Sequence, residues 1–162
     1  MTPETALQLV IRPTLAFMGG KYATVPAQHM LVATGLQESA FDHRKQIGGP
    51  AHSYWQFERA GVKGVLMHRA TGNFAIHLCR ELDHPEDLEG VYQAMQQDAI
   101  LACVFARLLL YTDPKPLPLT KEDGWGYYLR LWRPGKPHPT KWPANWMRAE
   151  QAIKLAKEIV WT

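Results

Sequence analysis

The sequence is short of cysteine, of net charge and of long hydrophobic runs, and each shortage removes a class of protein. Two cysteines in 162 residues cannot build a disulfide framework, so a stapled mini-protein is excluded. The longest apolar stretch, Ala99 to Leu110, is too short to span a bilayer and is interrupted by Arg107. Met1-Thr2-Pro3-Glu4-Thr5 has neither the basic start nor the apolar stretch of a signal peptide, so export through a cleaved signal is not expected. The seven histidines show no His-x-x-x-His spacing and the cysteines no Cys-x-x-Cys spacing, so no metal site is expected. No glycine loop of the phosphate-cradling kind is present. Cys79 and Cys103 fall in expected helices and read as small buried hydrophobes.

Charge is nearly balanced, with 18 basic and 15 acidic residues giving +3. That permits an anionic polymer as partner and does not call for nucleic acid. The distribution is uneven. Residues 41–70 hold five basic and two acidic side chains, residues 71–120 three and seven, and residues 121–162 eight and four. Aromatic residues are plentiful, with 6 Trp, 6 Tyr and 5 Phe, and five of the six Trp follow residue 124. With 46% apolar and 20% charged residues, the chain has the size and composition of one globular domain covering 1–162.

The pattern is mainly α. Leu7, Val10, Ile11, Thr14, Leu15 and Met18 recur at helical spacing, with Pro13 predicting a kink or break. A second helix is expected from Val25-Pro26 to about Ser39, others over 58–70 and 72–82, and a long one from Gly90 to about Tyr111. The stretch from Ala99 is apolar all round, as a central buried helix would be. Further helices are expected over 121–133 and 143–160, the last carrying Trp146, Ile153, Leu155, Ile159 and Val160. Residues 42–57 read as a loop, with a small hairpin near Ser53-Tyr54-Trp55-Gln56-Phe57.

Glu38 stands at the expected C-terminal end of an apolar helix, in Thr34-Gly35-Leu36-Gln37-Glu38-Ser39-Ala40-Phe41. The helix dipole and apolar neighbours both disfavour ionisation there, which raises a carboxyl pKa and suits a proton donor. A plain surface carboxylate, or a partner for a cation such as Arg44, is the other use of a Glu at such a place.

Glu38-Ser39-Ala40-Phe41, a glycine-containing loop and then Gln56, 18 residues after Glu38, resemble the lysozyme-like lytic transglycosylases. In that family a Glu-Ser-x-Phe motif at a helix end is followed by Gly-Leu-Met-Gln. Here Ser53-Tyr54-Trp55 stands in place of Gly-Leu-Met. A later Ala-Tyr-Asn-x-Gly element has its nearest counterpart in Leu131-Trp132-Arg133-Pro134-Gly135, preceded by Tyr127 and Tyr128, with Arg133 in place of Asn. Size and compactness also look like bacteriophage cell-wall lysins, either endolysins or virion-associated enzymes.

The resemblance implies a lysozyme-like fold and cleavage of the bond between N-acetylmuramic acid and N-acetylglucosamine in peptidoglycan, without a cofactor. Glu38 would be the general acid and base, and Ser39 would orient it. Gln56 would hold the carboxyl or an N-acetyl group. Tyr54, Trp55, Tyr128 and Trp132 would be sugar-stacking walls. In a hydrolytic muramidase a second carboxylate assists, for which Asp42 and Glu58 are the local candidates. His43 and His52 flank the loop and are placed to touch substrate. For Trp125, Trp142, Trp146 and Trp161 core packing is expected. The implied partner is the glycan strand of the cell wall, met by a monomer that moves from host cytoplasm to periplasm or travels in the virion. A non-catalytic wall-binding or virion structural module is the reading from another class.

Overall fold

The computed structural model describes residues 1–158. It is mainly α-helical, and no strand forms among the described residues. The expected Ile159, Val160 and Trp161 lie outside them.

The first helical segment begins as α1 (Pro3–Ala6), capped by the Thr2 hydroxyl, passes through a π-helical turn (Leu7–Ile11), and continues as α2 (Arg12–Met18). Pro13 therefore does not break the helix. Its ring would crowd the carbonyl of Leu9, and the widened turn just before it, where the Arg12 N–H reaches the Leu7 carbonyl, takes up that crowding. Next comes α3 (Val25–Ser39), with Thr24 as cap and Pro26 in the first turn. It is followed by α4 (Arg59–Leu66) and α5 (Gly72–Glu81).

The long helix expected from Gly90 is two helices, α6 (Leu88–Ala94) and α7 (Ala99–Thr112). Asp98 divides them. Its Oδ1 accepts from the Ile100 and Leu101 N–H groups at 2.8 and 3.2 Å, and its Oδ2 meets His84 Nε2 at 2.7 Å. A capping aspartate starts a new helix more cheaply than it sits inside an old one. The chain ends, within the described residues, with α8 (Lys121–Trp132) and α9 (Trp142–Glu158).

The helix α7 is the centre, as its composition suggested. Leu101 to Leu110 are all buried, and α2, α3, α4 and α5 pack around them. Arg107 is included, at 3% exposure. Its Nε donates to the Tyr22 carbonyl at 3.0 Å, and the guanidinium sits over the Tyr22 and Tyr111 rings. Cys79 and Cys103 are buried free thiols, pushed up to about 11 and about 12 by burial, which keeps them unreactive.

Residues 42–57 form a loop with two isolated antiparallel bridges, Lys45 with His52 and His52 with Phe57. The loop is hung on α3. Phe41 turns back onto the helix at Gly35, so close that a Cβ there would lie 2.2 Å from the Phe41 Cζ. Trp55 and Tyr54 meet the Phe41 ring edge-on at 5.9 and 5.8 Å. Gly35→Ala must therefore displace the Phe41 ring. It is expected to cost about 1–3 kcal/mol in urea unfolding. An unchanged unfolding midpoint would show that the loop is anchored elsewhere.

Candidate active site

The end of α3 is a sharp reversal. Ala40 and Phe41 both have left-handed backbone, with φ of 52° and 56°, an uncommon pair for residues with side chains. The Ser39 hydroxyl secures it, donating to the Tyr54 carbonyl at 2.7 Å and accepting from the Phe41 N–H at 3.1 Å. Ser39 thus positions the loop and makes no bond to Glu38. Its hydroxyl is taken up by these backbone groups and does not orient the carboxyl as expected, while Ser39 itself is among the residues lining the cleft described below.

Glu38 points the other way, toward α8. Its Oε1 accepts from the Tyr128 hydroxyl at 2.5 Å. Burial pushes the Glu38 carboxyl from its ordinary 4.5 up to about 7, and the charge of Glu58 adds to the rise, while the Tyr128 hydrogen bond opposes both. Glu38 is one of the residues lining a cleft of about 510 Å³, shared with Gln37, Ser39, His43, Lys141 and Asn145 among others. Burial and the Glu38 charge in turn hold the Tyr128 phenol far above its ordinary range, so it remains a donor.

Tyr128 belongs to an aromatic ladder. Its ring stacks on Trp142 at 5.4 Å and on Trp132 at 6.3 Å, and Trp142 continues to Trp146 and His29. Gly124 lets Trp146 approach α8, since a Cβ there would meet the Trp146 ring at 2.4 Å. Trp142 and Trp146 are core residues, as expected, and Trp125 packs beside them half-buried.

The other expected sugar contacts fare differently. Trp55 is 0% exposed, and its indole N–H donates to the Leu31 carbonyl at 2.9 Å, so it is core and not a cleft wall. Tyr54 is buried against Phe41, its hydroxyl accepting from Arg44 Nε. Gln56 bonds inward, its side-chain N–H donating to the Ser53 carbonyl at 2.7 Å, and it ties the loop together without reaching Glu38. Trp132 keeps a partly open ring while its indole N–H holds the Trp55 carbonyl at 2.9 Å. His52 is buried against Tyr92, and only His43 borders the cleft. Asp42 lies outside that lining, around a neighbouring hollow with Glu4 and Arg148.

Sequence reasoning missed Asn145, in the first turn of α9, and Lys141, just before it, which both line the cleft. No motif marks them. Among the described residues no three His, Cys, Asp or Glu side chains converge as a metal site would require. No family model matches the chain, no curated protein matches it, and no solved structure matches it.

The raised carboxyl has a cost that can be measured. Below about pH 4.5 Glu38 is protonated in the folded and unfolded chain alike. As pH rises toward about 7, the unfolded chain releases the proton first, so the folded state loses stability across that window. Glu38→Gln keeps an acceptor for Tyr128 and removes the penalty. It should exceed the wild type by up to about 3 kcal/mol above pH 7, and by little at pH 4.5. A stability difference that is flat with pH would contradict the raised pKa.

Proposed function

We propose that the chain cleaves the glycosidic bond between N-acetylmuramic acid and N-acetylglucosamine in peptidoglycan. In this reading it is a phage lysin of the lytic transglycosylase type on a lysozyme-like fold. The observation that carries the reading is Glu38, a cleft-lining residue whose carboxyl is pushed up to about 7 and accepts a hydrogen bond from the Tyr128 phenol. A carboxyl so tuned protonates a leaving oxygen at neutral pH and takes a proton back in the next step. Here it would protonate the glycosidic oxygen. As carboxylate it would then accept the proton of the muramoyl 6-hydroxyl as that oxygen bonds to C1, releasing a 1,6-anhydro end.

Hydrolysis is the second reading, favoured by one observation. The charge of Glu58 acts on Glu38, so a second carboxylate lies within electrostatic reach. In either version the partner is the wall glycan, reached from the host cytoplasm by way of the periplasm or from a virion.

Wild-type protein is expected to clear purified cell walls, and folded Glu38→Gln to do so at least a hundredfold more slowly. Equal clearing by the two would end the catalytic assignment. Mass spectrometry of products made in heavy-oxygen water separates the mechanisms: anhydro ends without solvent oxygen mark the lyase, labelled reducing ends the hydrolase. The acid form is active, so the rate should fall as pH rises through about 7. Tyr128→Phe removes the bond that favours the carboxylate and should move that limb to higher pH. Glu58→Gln removes a neighbouring negative charge and should move it lower. Limbs that stay fixed in both variants would assign the titration to another group.

A further inference from the structure

The cleft beside Glu38 contains a second polar device that acid–base chemistry does not use. Asn145, in the first turn of α9, is 9% exposed and lines the cleft. Its Nδ2 donates to Gln37 Oε1 at 2.9 Å, and Gln37 Nε2 donates to the His138 carbonyl at 3.0 Å. A backbone carbonyl only accepts, so the group facing His138 must be the Gln37 NH2. That turns Gln37 Oε1 toward Asn145, which in turn fixes Asn145 Nδ2 toward Gln37. Asn145 Oδ1 is the end left over. Among the described residues nothing donates to it, and it is not sealed from solvent. A nearly buried amide thus presents an acceptor whose polarity is set two bonds away by the main chain.

Lys141 stands one helical turn earlier, its carbonyl accepting from the Asn145 N–H at 3.1 Å. It lines the same cleft and forms no salt bridge among the described residues. An acceptor of fixed orientation and a mobile donor one turn apart complement an amide, which carries N–H and C=O on adjacent atoms.

We infer that Asn145 and Lys141 form an amide-reading site beside Glu38, Asn145 Oδ1 accepting a ligand N–H and Lys141 donating to the ligand carbonyl. The amide is that of an acylamino sugar or of a peptide branch on the glycan. The inference rests on the proposed glycan substrate and adds to it the residues that determine specificity.

The test is titration of the full chain with three probes, followed by NMR at the side-chain NH2 signals of Asn145 and Gln37. The probes are chitotetraose with its acetamido groups, N-acetylalanine amide as a peptide fragment, and cellotetraose with hydroxyls in place of acetamido. One of the two amide probes should bind and shift the Asn145 signals, and which one it is names the source. Cellotetraose should bind at least tenfold more weakly. Asn145→Leu and the surface variant Lys141→Met should each weaken the amide probe, the first by about tenfold, the size of one neutral hydrogen bond. Gln37→Leu frees Asn145 to turn over and should cost about threefold. Unchanged amide affinity in both Asn145→Leu and Lys141→Met, equal binding of cellotetraose, or no binding by any probe would overturn the site. Wall clearing distinguishes this failure from failure of the enzymatic reading. Clearing with unaltered KM in Asn145→Leu removes only the amide site. Equal clearing by Glu38→Gln, with Asn145-dependent binding intact, removes only the catalysis.

Discussion

Phe41 can lie on the backbone of α3 only because residue 35 carries no Cβ, and the geometry of the cleft follows from that contact. For the ring to reach Gly35 the chain must reverse within two residues of Ser39, which forces Ala40 and Phe41 into left-handed backbone. The reversal is repaid by edge-on packing of Phe41 with Trp55 and Tyr54 and by the Ser39 hydroxyl on the Tyr54 carbonyl. The loop over 42–57 is therefore fixed to one side of α3. Successive helical residues are rotated by about 100°. With Ser39 turned toward the loop, Glu38 is turned toward α8.

On that second side the environment of Glu38 is a balance and not a single effect. Burial and Glu58 favour the protonated acid, and the Tyr128 phenol favours the carboxylate. Tyr128 is able to do this because it is itself held rigidly, at 3% exposure, between Trp142 and Trp132. A hydroxyl on a stacked ring has little freedom to turn away, so its hydrogen bond persists at a fixed angle. Trp142 and Trp132 thus act on the carboxyl through the Tyr128 ring that they hold.

Local signals carried most of the fold. Val25-Pro26 and the apolar spacing after them mark α3 to within a residue, because first-turn proline and periodicity act over a few positions. The division between α6 and α7 is hidden in the sequence because Val91, Met95 and Ala99 keep one helical face across the break, and the Asp98 cap shows only in the structure. The site was less legible. Glu38 could be singled out from its place at a helix end. Its partner Tyr128 lies 90 positions away, and no periodicity encodes that pairing. Trp55 looked like a sugar wall because it is aromatic and near Gln56. Only the distant Leu31 carbonyl, which its indole bonds, makes it core. Asn145 shows the same limit, since its orientation is decided by Gln37 and His138.

The region after Tyr127 shows why a motif position and a working side chain need not coincide. Arg133 occupies the place of the resembled family's Asn, yet it is the left-handed cap of α8, exposed, with Nε directed at the Arg130 carbonyl. A residue that ends a helix in this way turns its side chain out of the helical face that precedes it. The face that does meet Glu38 is set by Tyr128 and Trp132, one turn apart and stacked. On the Glu38 side the polar contact comes from the Tyr128 phenol, five residues before Arg133. On the cleft side an acceptor is supplied from α9, a different helix, by Asn145. The groups around Glu38 come from three helices, and the Arg133 side chain stands apart from them, exposed at the end of α8.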